Sequence, residues 1–238
     1  VNKIDHKVGH LAEHLLKRSR RAYYAQISHI DYQIGRLYNW LRIKNYLDNT
    51  YVIFTSDHGE LLGDHHLFSK VVPFEGSSKV PLIIKPPHSC DCERGKKIEY
   101  PLSHFDIMPT ILDEADLSIP DTVEGISVDS IVRGRELLHQ RDFIHGEHTL
   151  VNQTWQFVTD GKEKFIWESV SNKKWFFNLR DDPYEEKNLF HLEQYKDRIQ
   201  FWENRLVKVL NKRPQDQLTD GEKLKPGNCL PTVRKELL

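Results

Sequence analysis

The sequence lacks several features that would place it quickly. No stretch approaches the roughly 18 consecutive apolar residues of a transmembrane helix, so we expect no membrane span. No phosphate-binding P-loop and no G-x-S-x-G nucleophile elbow occurs. The formal net charge is −1, which gives no overall attraction to nucleic acid. We therefore expect neither a membrane protein nor a nucleic-acid-binding protein.

Cysteine is also scarce: the chain has three, Cys90, Cys92 and Cys229. Cys90 and Cys92 are separated by one residue, not by the two of redox and zinc motifs. We interpret the cysteines as free thiols, and a disulfide that involves Cys229 remains the alternative. The 13 histidines form no zinc-type cluster.

The first half of the chain shows helix and strand patterns in alternation. Apolar residues recur at steps of three and four through residues 19–47, which predicts an amphipathic helix. Residues 51–56 form a β-prone run that is apolar on both faces, as in a strand inside a parallel or mixed sheet with helices on both sides. Residues 80–85 predict a second short strand.

A helix is predicted at residues 103–117, with either Ser103 or Asp106 as its N-cap, and Ile107, Ile111 and Leu112 are expected to pack inward. After Arg135 the sequence pattern changes to short, aromatic, β-prone runs, which predict a small antiparallel sheet with Asp160-Gly161 as a hairpin turn. An apolar stripe over residues 192–210 predicts a long helix that covers one face of this sheet.

These patterns divide the chain into an α/β part, residues 1–138, and a small α+β domain, residues 139–238. The first part holds only two convincing core strands, and their sheet edges would stay exposed unless further chain completes the sheet. The only methionine is Met108, and the sequence opens on Val1. We therefore expect a fragment of a longer protein.

The polar run that follows the first strand is the main candidate for chemistry. Asp57 and His58 are adjacent, and Gly59 allows the backbone to bend after them. A carboxylate and an imidazole at a strand end suit a divalent cation. A strand-end turn capped by Asp57 is the alternative. Lys70 could act on an anionic substrate as a point charge, or could be a solvated surface lysine.

His65 and His66 follow in the same polar loop. One interpretation is that both are solvated or hydrogen-bonded to nearby residues. The alternative is that one of them lines a binding site for an anion.

Several segments together resemble the second half of the type I sulfatases, of the alkaline phosphatase superfamily. They occur in the family's order and are 55–60, 62–65 with Lys70, 74–77, 80–85, 105–112, 124–127, 177–179, 182–183 and 185–189. The resemblance implies a partial sulfatase-type sheet sandwiched by helices, followed by the small C-terminal domain.

The resemblance also implies roles for individual residues. Asp57 and His58 would bind a divalent metal, and Lys70 would bind the sulfate oxygens, with His65 as a further candidate. The nucleophile of the family is a formylglycine made from Cys or Ser in a Cys/Ser-x-Pro/Ala-x-Arg motif, and none of the three cysteines lies in such a motif. We therefore expect the formylglycine in a missing N-terminal half and no turnover by this chain alone.

The expected reaction is hydrolysis of a small-molecule or glycan sulfate ester. Many sulfatases have Asn at the position of His58, whereas relatives that act on phosphonate monoesters or choline sulfate have His. Phosphonate monoester or phosphodiester hydrolysis is therefore one alternative, and the histidine favours manganese or a similar ion over calcium. A non-catalytic fragment or remnant is the other alternative.

Overall fold

A computed structural model describes residues 11–135, 141–150 and 153–227 of the chain. The chain forms two compact units, Val1–Asp91 and Cys92–Leu238. The predicted domain boundary between residues 138 and 139 falls inside the second unit. That this boundary marks the end of the core domain of a longer protein stays a prediction. Within the described residues, no helix is long and apolar enough to cross a bilayer.

The first unit begins with a long helix, α1 (Glu13–Ile43). Its apolar stripe is present as predicted, but none of its residues is buried. Ile27, Ile30 and Leu37 keep 48%, 53% and 56% of their surface exposed. A periodic apolar face of this length normally lies against other parts of a fold. The described chain contains nothing that covers it.

The two predicted strands pair with each other. Strand β1 (Val52–Thr55) runs antiparallel to β2 (Leu82–Lys85), and Val52 lies opposite Lys85. The sequence predicted a strand in either a parallel or a mixed sheet. The antiparallel pairing excludes the all-parallel sheet. A short helix, α2 (Glu75–Ser78), precedes β2.

The second unit begins with a 3-10 turn at His104–Asp106 that leads into helix α3 (Ile107–Glu114). Ser103 and Asp106 form the predicted capping box, and the Ser103 N–H donates to the Asp106 carboxylate at 2.8 Å. Asp106 is 1% exposed and accepts two hydrogen bonds from the Arg141 guanidinium, at 2.7 and 2.8 Å. This carboxylate therefore joins the helix start to the segment that leads into the C-terminal sheet.

One core prediction for α3 was wrong. Ile111 was expected to pack inward, but 52% of its surface is exposed, and Pro109 and Thr110 are the buried residues of the helix. The Thr110 hydroxyl accepts a hydrogen bond from the Val128 backbone N–H at 3.0 Å, and this contact holds the Pro109–Thr110 side of the helix inward.

A four-stranded antiparallel sheet forms the rest of the second unit, in the order β3-β4-β5-β6. Its strands are Ile144–Leu150, Gln153–Thr159, Glu163–Glu168 and Lys173–Asn178. Gly161 has a φ of +81° in the predicted hairpin turn, and Asp160 accepts from the backbone N–H groups of the two residues after it. The sheet matches the predicted one in its strands and in this turn.

The long helix at the end of the described chain covers one face of the sheet, as predicted. It is α5 (Lys196–Leu210), and the short helix α4 (Asp129–Val132) precedes the sheet. The core between α5 and the sheet contains Val158, Phe165, Trp167, Phe176, Trp202 and Leu206, which are at most 1% exposed. Burial of large aromatic side chains is the main stabilising contribution here.

A carboxyl pair between α3 and α4 makes stability depend on pH. Burial raises the pKa of Glu114 to about 7, and the neighbouring Asp129 adds to the shift. The folded protein therefore takes up a proton between pH 4.5 and 7 that the unfolded chain does not hold. The stability linked to this proton is present at low pH and is lost as the pH rises through 7.

We expect Glu114→Gln to remove about 1 kcal/mol of this pH dependence between pH 5 and 8, because the glutamine cannot ionise. Melting temperature measured across that range tests the prediction. Glu93→Gln, at an exposed ion pair with Lys96, is the control and should leave the slope unchanged. An identical slope in wild type and Glu114→Gln would contradict the assignment.

Candidate metal centre

Asp57 lies two residues beyond the end of β1 and presents its carboxylate to solvent, with 83% of the side chain exposed. The backbone N–H of His58 donates to Asp57 Oδ1 at 2.9 Å and holds the pKa of this carboxyl below its ordinary value. Asp57 is thus an ionised carboxylate whose second oxygen, Oδ2, lies 3.5 Å from His58 Nε2. The predicted turn-capping role is present and uses Oδ1, so Oδ2 is the oxygen that a metal would contact if the ligand prediction holds.

The imidazole of His58 has a defined tautomer. Its Nδ1 lies 2.8 Å from the carbonyl oxygen of Gly59. A carbonyl oxygen can only accept, so Nδ1 carries the proton and, in the neutral ring, Nε2 keeps its lone pair. A backbone carbonyl that fixes the tautomer in this way is the usual partner of a metal-binding histidine. His58 Nε2 and Asp57 Oδ2 are then two acceptors side by side, an arrangement that a cation stabilises.

Gly59 is required for a reason that the sequence did not show. We expected it to let the backbone bend, but its φ is not in the left-handed region. Its N–H donates to the Ser77 carbonyl at 2.8 Å, and a Cβ at this position would lie 2.2 Å from the Gly76 carbonyl oxygen. The close approach of two backbone segments therefore excludes any larger residue.

The loop after Asp57 and His58 folds back so that Ser69, the residue before Lys70, lies against Glu60 and Leu61. Glu60 Oε1 accepts from the backbone N–H groups of Leu62 and Ser69, at 3.2 and 2.5 Å. The N–H of Leu61 donates in turn to the Ser69 carbonyl at 3.0 Å. Lys70 therefore follows directly after Ser69, which is hydrogen-bonded to Glu60 and Leu61.

The backbone around Lys70 is strained. Ser69 and Val71, on either side of it, have φ values of +73° and +78°. A β-branched residue rarely adopts the left-handed region, and such strain costs on the order of 1–3 kcal/mol per residue. Strain of this kind is typical of loops that hold a functional side chain in place. Sequence reasoning did not anticipate it, nor the role of Glu60 as the anchor of the loop.

His65, the further candidate for sulfate binding, packs against an aromatic ring. Its imidazole stacks on Phe74 with centroids 4.0 Å apart and planes 15° from parallel. His65 and His66 both have positive φ values, +52° and +59°. The neighbouring Asp64 accepts from the Arg20 guanidinium at 3.0 Å, which ties this loop to α1. The His65 ring is therefore held in place by its stacking on Phe74.

The described residues place two candidate metal ligands, Asp57 and His58, side by side. Within residues 11–135, 141–150 and 153–227, no group of three or more His, Cys, Asp or Glu side chains could hold a metal ion. The donor set of one carboxylate and one neutral imidazole fits a divalent cation, but two protein ligands are fewer than such ions usually take. A complete site needs ligands from outside the described residues.

Comparison with known proteins gives this half-site a context. The family described as Sulfatase matches residues 3–117, and the family described as N-sulphoglucosamine sulphohydrolase, C-terminal, matches residues 63–212. An arylsulfatase of Clostridium perfringens is 41% identical over 220 residues, which are 92% of this chain and 45% of that protein.

Two solved structures share the fold. A phosphonate monoester hydrolase of Agrobacterium radiobacter has a TM-score of 0.73 at 26% identity and matches 89% of this chain and 45% of its own. A protein solved with its substrate D-glucosamine-2-N,6-O-disulfate has a TM-score of 0.69 at 24% identity, over 82% of this chain and 40% of its own.

The chain thus spans less than half the length of these relatives. The two family matches together extend over residues 3–212 and include the strand with the ligand pair, the Lys70 loop and the C-terminal sheet with its helix. The chain belongs to the sulfatase family, within the alkaline phosphatase superfamily.

Proposed function

We propose that this chain is the C-terminal half of a sulfatase that hydrolyses sulfate esters with a bound divalent metal. The observation that carries the proposal is the ligand pair, in which Nε2 of a tautomer-fixed His58 lies 3.5 Å from the ionised Asp57. The positive φ values of Ser69 and Val71, on either side of Lys70, also support a functional loop over a simple turn.

Each residue has a distinct task in this proposal. Asp57 and His58 bind the metal, which when present offsets negative charge that develops on the sulfate oxygens. Lys70 binds the same oxygens as a point charge, since its ammonium has three donors and no directional preference. His65, whose ring is stacked on Phe74, is a further candidate for contact with the sulfate.

The rest of the site is proposed to lie in an N-terminal half of the same protein. That half would supply the remaining metal ligands and the formylglycine nucleophile. Two features support this arrangement: the two-ligand half-site among the described residues and the uncovered apolar face of α1. We expect the 238-residue chain alone to show no turnover.

The substrate is proposed to be a small-molecule or glycan sulfate ester. The similarity to an arylsulfatase and to a protein that binds a sulfated glucosamine supports this class. Hydrolysis of phosphonate monoesters is the second candidate, supported by the fold of the Agrobacterium enzyme and by histidine as the second ligand. An imidazole ligand favours manganese-like ions more than calcium, which prefers oxygen.

Paired rates on 4-nitrophenyl sulfate and 4-nitrophenyl phenylphosphonate, measured with the complete protein, separate these candidates. We expect the sulfate ester to react faster, and Lys70→Ala to lower kcat/KM by about 100-fold or more, because a donor to the charged oxygens is lost. Lys97→Ala, at a side chain that is 88% exposed, is the control. A faster phosphonate reaction would favour the alternative, and metal binding without turnover of either ester would favour a non-catalytic remnant.

A further inference from the structure

Glu60 lies in the polar run after β1, two residues beyond His58, and its carboxylate is used within the protein. Its Oε1 accepts from the backbone N–H groups of Leu62 and Ser69, at 3.2 and 2.5 Å. Hydrogen bonds to a carboxylate are shorter than those between neutral groups and roughly twice as strong. The Glu60 side chain therefore closes the loop that leads from the polar run to Lys70.

Both backbone groups of Ser69 are held by this arrangement. Its N–H donates to Glu60 Oε1. Its carbonyl oxygen, which belongs to the peptide bond with Lys70, accepts from the Leu61 N–H at 3.0 Å. Because each peptide unit is planar, the two hydrogen bonds fix the peptide planes before and after Ser69. The direction in which the backbone enters Lys70 is thus set by contacts with residues 60 and 61.

The conformation that these contacts hold is an unfavourable one. Ten non-glycine residues of the described chain have a positive φ. Five of them lie between residues 62 and 71, namely Leu62, His65, His66, Ser69 and Val71. Such conformations persist only where the surrounding contacts determine them. Loss of the Glu60 carboxylate should therefore let the backbone relax and change its path at Lys70.

The Lys70 side chain depends on its backbone for its placement. It is half-buried, and its ammonium has no hydrogen-bond or ion-pair partner within residues 11–135, 141–150 and 153–227. A lysine ammonium is a compact point charge on a flexible stem. Since no contact of its own holds this ammonium, the position of the Lys70 backbone decides which points the ammonium can reach.

We propose that Glu60 is a positioning residue for Lys70 in sulfate-ester hydrolysis and is not a metal ligand. The inference rests on the proposed function, in which Lys70 binds the sulfate oxygens. Although Glu60 follows Asp57 and His58 closely in the sequence, the three side chains form no group that could hold a metal ion. Glu60 acts through the Ser69 backbone, and Lys70 contacts the substrate.

A double-mutant cycle in the complete protein tests the proposal. A misplacement of about 1 Å can cost about 100-fold in rate, so we expect Glu60→Ala, as a partial loss of position, to lower kcat/KM about tenfold. The inhibition constant of inorganic sulfate should rise severalfold, and metal content should stay unchanged. In a Lys70→Ala background the same substitution should change kcat/KM by less than about twofold, because no ammonium is left to position. Glu60→Gln keeps an oxygen acceptor and should retain more activity than Glu60→Ala.

Asp64→Ala is the matched control, since it removes a carboxylate of the same loop that pairs with Arg20 at 3.0 Å and not with Ser69. It should leave kcat/KM within about threefold of the wild type, because a partly exposed ion pair contributes little. Loss of metal in both Glu60 variants would overturn the proposal in favour of a ligand role. An equal effect of Glu60→Ala with and without Lys70 would overturn it in favour of a general structural role. Unchanged hydrolysis in Lys70→Ala would instead overturn the proposed sulfate contact of Lys70, and the role of Glu60 with it.

Discussion

Replacing Asp57 by alanine in the complete protein is expected to remove the bound metal and to lower kcat/KM by about 10³-fold or more. Charge stabilisation by a metal ion amounts to several kcal/mol, and each 1.36 kcal/mol corresponds to about a factor of ten in rate. The loss should be this large because Asp57 would be one of only two metal ligands in the proposed half-site, and the described residues form no group of three or more that could replace it. Metal content by mass spectrometry and kcat/KM on an aryl sulfate measure the two effects together.

Substitution of the second ligand separates metal binding from folding. His58→Ala should behave like Asp57→Ala, whereas His58→Asn offers an amide oxygen and should retain metal with a shift in preference from manganese toward calcium. Asp121→Ala, at an exposed aspartate of the second unit, is the control and should change neither metal content nor rate. Full activity of Asp57→Ala with metal still bound would refute the assignment.

The periodic parts of the chain could be predicted well from the sequence. The apolar stripe of α5 and the aromatic, β-prone runs of β4 to β6 are local signals, and the Asp160-Gly161 turn has few conformations open to it. The two strands of the first unit were also found, but their antiparallel pairing was not. Two short runs separated by about 25 residues carry no local signal of direction, since either pairing buries the same side chains.

The candidate site divides in a similar way. Asp57, His58 and Lys70 could be proposed as site residues from the sequence because they belong to segments that resemble the sulfatases. The features that make them suitable depend on contacts between distant residues. Examples are the Nδ1 proton of His58 and the reach of Glu60 to Ser69. The requirement for Gly59 likewise arises from Gly76, which is 17 residues away in the sequence. Neither a periodic pattern nor a motif in the sequence indicates contacts between residues this far apart in the chain.

A buried ion pair in the C-terminal sheet is expected to have the largest effect on stability. Lys164 of β5 is fully buried, and its ammonium lies 3.3 Å from Glu185 Oε1 and 4.9 Å from the centroid of the Phe157 ring. Glu185 is 2% exposed. Removing one partner of a buried ion pair leaves the other charge without compensation and costs about 3–5 kcal/mol. We therefore expect Lys164→Met to destabilise the sheet by that amount.

Hydrogen exchange of the backbone amides of β5 and β6 measures this loss locally, even where the complete protein unfolds in several steps. The expected loss corresponds to protection lower by about 10²–10⁴-fold, at 1.36 kcal/mol per factor of ten. The matched control is Lys196→Met. The side chains of Lys196 and Glu193, which form an ion pair, are 72% and 85% exposed, so the loss of this pair should lower the stability by less than about 1 kcal/mol.

The double variant Lys164→Met/Glu185→Leu decides whether charge or packing causes the effect. An apolar pair of similar volume has no desolvation cost to offset, so the double variant should recover most of the stability that Lys164→Met loses. Such recovery is a large non-additive coupling between residues in contact. If the double variant is instead as unstable as the two single losses combined, the packing of the lysine stem and its contact with Phe157 stabilise this part of the sheet, and the ion pair does not.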